Sequence, residues 1–274
     1  MTTPFPNRFF NVHRILGLMV VTLLCSGSVS AADWQFAPSG RLFRPLLADP
    51  GEARFGLSYL SGNHLEGAIG GSWEGFGVAW RDLPKTRLRV GIHAGVFTLL
   101  RRSSATFPLE TADFLFGTHT DLQHGAFTGR LAFDHISAHL VDGYAGPRQA
   151  FTYSREFFTL YGAYDRSWLR LYAGFRLSNH AIPNTKKWGL QAGTELTSRP
   201  LFGRLARVYL AYDLRVFDDP GANAIQTTQA GLLFHNPASA GLRVAILLHT
   251  GRSEHGQFHD LPDRFAGVGI FFDL

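Results

Sequence analysis

The last ten residues, Phe265-Ala-Gly-Val-Gly-Ile-Phe-Phe-Asp-Leu274, constrain the fold more than any other stretch. Side chains alternate across an extended strand with period two. Ala266, Val268, Ile270, Phe272 and Leu274 therefore share one face, which is apolar throughout. Phe265, Gly267, Gly269, Phe271 and Asp273 share the other, which is small or polar apart from its two Phe. A strand with one apolar face must cover it, either against a second sheet or against lipid.

The other end of the chain narrows that choice. Arg8 and Arg14 form a basic region, Ile15 to Cys25 an apolar stretch, and Ser26 to Ala32 a run of small residues. That order is expected of a secretory signal peptide over residues 1–31, cut after Ala31 or, second best, after Ala32. The apolar stretch is too short to span the roughly 30 Å of bilayer hydrocarbon. Leu24 stands where a lipoprotein signal at Cys25 needs a small residue. Cleavage removes the only cysteine, and with it any disulfide or Cys-ligated metal site. Beyond residue 31 no apolar run reaches 18 residues, so no transmembrane helix is expected. A membrane-resident mature chain would then have to be a closed barrel.

Composition agrees with strands. The chain has 30 Gly and 24 Phe against two Met. Its only lysines are Lys85, Lys186 and Lys187, the other basic residues being arginine, with no basic run. This argues against a nucleic-acid surface and suits arginines paired with carboxylates in a partly dry setting.

Residues 32–52 carry Pro38, Pro45 and Pro50 without clear alternation and read as an irregular periplasmic lead-in or plug. A barrel is expected over 53–274, with strands near 53–61, 66–82, 86–100, 109–118, 124–137, 149–163, 167–179, 186–198, 203–217, 222–235, 240–250 and 264–274. Gly70, Gly71 and Gly75 offer an alternative in which the second run breaks in two, giving an odd count. The expected fold class is all-β, a transmembrane antiparallel up-and-down barrel of about twelve strands with both termini periplasmic. A soluble two-sheet sandwich explains the alternation equally well, but not the terminal strand.

Alternation is clearest in three runs. Leu169, Leu171, Ala173, Phe175 and Leu177 oppose Trp168, Arg170, Tyr172 and Arg176. Ala206, Val208, Leu210, Tyr212, Leu214 and Val216 oppose Arg207, Tyr209, Asp213 and Arg215. Leu242, Val244, Ile246 and Leu248 oppose Arg243 and His249. Inward Arg170, Arg176, Arg207, Arg215 and Arg243, with Asp213, Glu195 and Asp134, would form a narrow charged lumen. That lumen disfavours a small-solute channel and suits a non-transporting barrel with short loops.

The densest polar cluster is Asp134-His-Ile-Ser-Ala-His-Leu-Val-Asp-Gly-Tyr144. Leu131 and Phe133 oppose Arg130 and Asp134, so His135 and Ser137 are expected on the lipid side at the outer rim. Gln149, on the expected next strand, would converge on them, with His139, Asp142, Ser154 and Glu156 as supporting residues. Glu156 is open to two readings, a lumenal pair with Ser154 and Arg155 or a partner for His139. His249, His255 and His259, with Glu254 or Asp260, are a weaker metal-binding grouping. Gly267-Val-Gly269 reads as close packing within a strand. No metal centre, P-loop or carboxylate dyad appears at readable spacing.

Three resemblances follow from these residues. The terminal strand resembles the closing strand of bacterial outer-membrane barrels, which also addresses the chain to the barrel-assembly machinery; Leu274 stands where those proteins usually end in Phe. The resemblance implies residence in the bacterial outer membrane among its lipids. His135-x-Ser137 with a polar residue twelve positions later resembles outer-membrane phospholipase A and the lipid A deacylase barrels. It implies His135 as general base, Ser137 as nucleophile and Gln149 as the residue orienting the histidine, on acyl esters of phospholipid or lipopolysaccharide. Calcium is the one cofactor it would bring. Finally, Phe43-Arg-Pro-Leu-Leu-Ala-Asp-Pro50, Ala112-Asp-Phe-Leu-Phe-Gly117, His135 to Asp142 and Tyr153-Ser-Arg-Glu156 resemble an uncharacterised family of outer-membrane barrels, a domain of unknown function. Ala138, Val141 and Gly143 depart from its pattern. This likeness implies fold and compartment and brings no activity.

Overall fold

The computed structural model describes residues 32–201, 205–218, 224–234 and 241–273. The expected signal peptide and Leu274 lie outside them. Thirteen strands follow in order: β1 (Ala32–Phe36), β2 (Phe55–Leu60), β3 (His64–Trp80), β4 (Thr86–Arg101), β5 (Leu109–His124), β6 (Phe127–Leu140), β7 (Tyr153–Asp165), β8 (Leu169–Ile182), β9 (Trp188–Thr197), β10 (Arg207–Phe217), β11 (Ile225–Leu233), β12 (Gly241–Arg252) and β13 (Pro262–Asp273). From β2 to β13 each strand pairs antiparallel with the next, and β13 returns to β2. The ring is a closed twelve-stranded barrel, which leaves no sheet edge along those ladders. A two-sheet sandwich is excluded.

The extra strand explains the first wall position. β2 pairs with His64–Ala68 of β3, while β1 pairs with Phe76–Trp80 of the same strand. Two short strands thus occupy the two ends of one place in the wall. The chain between them, residues 37–54, runs through the lumen. The expected irregular lead-in therefore divides into a strand and an interior segment. β3 itself is continuous, not split at its glycines; Gly75 is the extra residue of a bulge between Glu74 and Phe76. The odd strand count comes from β1 instead.

An interior segment with no ladder of its own needs side-chain partners for its backbone. Asp121 of β5 accepts the Phe43 amide at 3.1 Å, and Glu195 of β9 accepts that of Leu47 at 2.8 Å. Arg170 of β8 donates to the carbonyls of Arg44 (2.8 Å) and Pro45 (3.2 Å). Arg54 donates to those of Leu46, Leu47 and Asp49. Two apolar clusters pin the same segment. Phe43 and Leu46 pack with Tyr161, Ala163 and Tyr172. Leu47 and Ala48 pack with Tyr209, Ala211, Leu233, Ala245, Leu247 and Phe271.

The outer surface is the reverse. Leu190, Leu210, Ile246, Val268 and Ile270 are all about half exposed, as a lipid-facing band requires. Tyr209 faces the interior. Trp168 does not: it sits in the turn before β8 and is exposed, because the strand starts at Leu169, two residues later than expected.

One end of the barrel holds the start of β1, the finish of β13 and the turn at 81–85; it is called the terminal end below. The other, the loop end, holds the connections 61–63, 102–108, 141–152, 183–187 and 253–261. There a 3-10 turn, Gly256–Phe258, folds over the mouth. Its Gly256 amide donates to Asp113 (2.7 Å) and Gln257 donates to the carbonyls of Ala138 and Phe151 (both 2.8 Å). A cavity of about 160 Å³ remains between this cover and the interior segment.

Two outcomes are expected. Leu210→Arg, which puts a charge on the apolar band, should lower stability by roughly 2–4 kcal/mol in urea unfolding from vesicles. Single-channel recording should find the intact barrel silent, and excision of residues 38–53 should open a stable conductance.

Candidate functional site on the outer wall

Strand β6 presents Leu131, Phe133, His135, Ser137 and His139 outward, and Arg130, Ala132, Asp134 and Ala138 to the interior, where they are buried. Register then decides the neighbours. On β7, Glu156 lies opposite His135 and Ser154 opposite Ser137. On β5, Phe116 lies opposite His135 and Phe114 opposite Ser137. On β8, His180 lies opposite Glu156.

His135 Nδ1 stands 3.7 Å from Glu156 Oε1, with the two side chains 44% and 37% exposed. Ser137 is two residues along the same face, about 6.8 Å between Cα atoms at strand rise. Toward mid-wall the surface turns apolar: the Phe133 and Phe158 rings lie 4.8 Å apart, beside exposed Leu131 and Leu160. His, Ser and Glu thus form a polar row along the loop-end margin of the apolar band. A serine hydroxyl near an imidazole whose other nitrogen faces a carboxylate is the arrangement nucleophilic acyl transfer needs.

The residues named from sequence fall out as follows. Gln149 is exposed in the 141–152 connection, and the β6–β7 ladder begins only at Ala138 and Tyr153. Its expected place opposite His135 belongs to Glu156. Glu156 faces outward, so it forms no lumenal pair, and its partner is His135 rather than His139. Arg155 faces inward, donating to Tyr153 Oη and Thr185 Oγ1 (both 2.8 Å). His139 rests edge-on against Phe114, and Asp142 is exposed. Parity counted forward from inward-facing Tyr153 puts Ser154 and Glu156 on the outer face; the length of the connection hid it.

Inside, Arg170, Arg215, Arg243, Glu195 and Asp213 are buried. Arg243 forks onto Asp273 (2.8 and 3.2 Å), and Arg215 onto Glu254 (2.8 Å twice), with Asp213 at 3.1 Å. Arg176 lies over the Phe157 ring at 4.1 Å, and Arg207 donates to the Ser198 carbonyl. Asp134 has a histidine, His93, as its partner. It belongs to an inner row of Glu74, His119, His93 and Asp134 that no sequence spacing announced.

His249, His255 and His259 do not converge. His249 engages Thr227 and stacks on Phe265, while His259 Nδ1 engages the Gly256 carbonyl at 2.9 Å. His255 lies 3.3 Å from Glu66 in the 253–261 connection. Burial alone would lower the His255 pKa. The hydrogen bond to Glu66 and the charges of Asp113 and Asp263 outweigh it and push the pKa up to about 9.

No curated protein matches this chain. A family model described as "Protein of unknown function (DUF1207)" matches residues 19–274, and the chain belongs to that family. Among solved structures, outer membrane phospholipase A from Escherichia coli is similar at TM-score 0.50 and 10% identity, over 85% of this chain and 94% of that one. The Salmonella typhi outer membrane phospholipase dimer with bound calcium is similar at TM-score 0.52 and 10% identity, with the same coverage. The likeness shows the fold, that of an outer-membrane barrel.

The His255 contact carries a pH dependence. A pKa raised in the folded state gives stabilisation that is whole below about pH 6.5 and is lost as pH rises through about 9. The thermal midpoint of wild type should exceed that of His255→Gln at pH 6, and the gap should close above pH 9. A gap that persists at pH 10 would rule out a protonated His255 as its source.

Proposed function

We propose that this DUF1207 family member is an outer-membrane serine hydrolase whose chemistry lies on the outer wall of a barrel that does not transport. The observation that carries the reading is the His135–Glu156 contact at 3.7 Å across the β6–β7 ladder, with Ser137 on the same outward face. The substrate class is an acyl ester of a membrane lipid, phospholipid or lipopolysaccharide. The site stands at the margin of the apolar band, where ester groups lie, and exposed Phe114 and Phe116 flank it for an acyl chain.

Ser137 Oγ attacks the ester carbonyl as His135 takes its proton. Glu156 accepts a hydrogen bond from Nδ1, fixing the tautomer and stabilising the imidazolium. The 3.7 Å contact has to shorten by under one ångström for that bond. His135 then protonates the leaving alcohol, and water deprotonated by His135 releases the fatty acid from the serine. The two structurally similar phospholipases are named for phospholipid hydrolysis, and the reading carries that class to this chain. Both termini are assigned to the periplasm, which sets the site in the outer leaflet, and residues 265–274 to recognition by the assembly machinery.

Released fatty acid from mixed micelles, with and without calcium, tests the reading. Ser137→Ala should lose several orders of magnitude of rate, His135→Ala similarly, and Glu156→Gln less, while Gln149→Ala keeps full rate. Equal release by wild type and Ser137→Ala, or none by wild type, overturns it.

A further inference from the structure

Two triplets, Gly91-Ile-His93 on β4 and Gly117-Thr-His119 on β5, pair antiparallel on the inner wall. Each histidine lies opposite the other's glycine. Each also leans across that glycine toward an acid on the next strand, His119 toward Glu74 of β3 and His93 toward Asp134 of β6. The glycines make the lean possible. A Cβ on Gly91 would lie 2.7 Å from His119 Nε2, and one on Gly117 would lie 2.2 Å from Asp134 Oδ1 and 2.5 Å from His93 Nε2. The β3 bulge immediately follows Glu74, where an extra residue re-aims side chains. The result is a chain of four groups: Glu74 Oε1, then His119 Nε2 at 3.3 Å, His119 Nδ1 to His93 Nδ1 at 3.2 Å, and His93 Nε2 to Asp134 Oδ1 at 2.5 Å.

With both imidazoles neutral and both carboxylates ionised, the chain is one hydrogen short. It has three contacts, each of which needs one hydrogen or another cation between its lone pairs. Two neutral imidazoles supply one hydrogen each. The distances show where the deficit falls. The Asp134–His93 contact is short enough for a strong bond to a carboxylate, and the His93–His119 contact suits a bond between two rings. With Nδ1–H of His119 donated to His93, its Nε2 lone pair points at Glu74. Their 3.3 Å separation lies at the long end of the range for an N–H···O bond. It agrees with the about 3.4 Å between a nitrogen and an oxygen bound to one tetrahedral zinc ion.

Two further observations point the same way. Glu74 Oε2 is buried with no hydrogen-bond partner. Asp121 brings a third donor: ligand atoms of Glu74, His119 and Asp121 all lie within 4.8 Å of one another, and all three residues are buried.

We propose that Glu74, His119 and Asp121 bind one divalent first-row transition-metal ion on the inner wall. His93 and Asp134 are positioning residues that hold His119 in the tautomer with Nε2 free to ligate. One imidazole nitrogen with carboxylate oxygens suits zinc or manganese. Asp121 also accepts the Phe43 amide and both arms of Arg130, so the ion would tie the interior segment to the wall. The site is separate from the outer-wall hydrolase and does not depend on it.

The test uses the full barrel refolded in detergent, stripped with chelator, then given zinc alone or manganese alone. Bound metal is measured by mass spectrometry and by competition with a chromophoric chelator. One ion per chain is expected. His119→Ala and the isosteric Glu74→Gln should each weaken binding at least a hundredfold, and Asp134→Asn ten- to a hundredfold. His259→Gln should leave it unchanged. Cobalt loading should give tetrahedral absorption bands that vanish in His119→Ala; if that variant does not refold, Glu74→Gln gives the same reading. Neither metal bound at one per chain, or binding that survives Glu74→Gln, overturns the proposal. Undiminished binding by Asp134→Asn overturns the positioning role.

Discussion

A polypeptide threaded through a barrel must find partners for its backbone away from any ladder, and the rest of this structure depends on how that demand is met. The interior segment 37–54 takes them from charged side chains of the wall. Glu195 and Asp121 accept its amides, Arg170 donates to its carbonyls, and the segment's own Arg54 donates to three more. Each of these charges would be costly in the interior if left alone. Bound to backbone and to each other, they and the segment occupy the interior of the barrel. The wall's inner face holds the segment, and the outer face carries the apolar band.

Much of this was legible in period-two alternation. It placed Arg170, Tyr209, Asp213, Arg215 and Arg243 inside and Leu210, Ile246 and Val268 outside, because a strand in a one-layer wall has only two sides. It also set His135 and Ser137 on the outer face. What alternation cannot supply is register. Glu156 lies opposite His135 because the 141–152 connection is long, and length of loop leaves no trace in parity. The same limit hid the inner row: Gly91 and His93 look unremarkable until β5 is laid beside β4 with Gly117 and His119 in reverse order. The Pro-rich stretch after β1 had no period to read, so its destination came only from its partners. Arg176 was expected beside an acid and found aromatic rings, which are as acceptable to a guanidinium face.

Strand β6 carries both proposed sites on consecutive residues. Asp134 points inward to His93, and His135 points outward to Glu156. Adjacent residues on a strand project to opposite faces, so one stretch of backbone carries two polar clusters that share no atoms. A slip of one residue in the β6 register would exchange their faces and abolish both. The glycine opposite Asp134 on β5, Gly117, fixes that register further, since a side chain there would strike both His93 and Asp134.

The divided first wall position bears on how the barrel is made. Its closing seam, β13 on β2, has six paired residues, against twelve between β12 and β13. The interior segment is anchored in the wall at both ends, by β1 before it and β2 after it. Drawing it out, or pushing it in once the ring is shut, would require the β1–β3 pairing to break. Laying it against an open sheet and then closing the short β13–β2 seam avoids any threading, as a final stave locks a bung already in the cask.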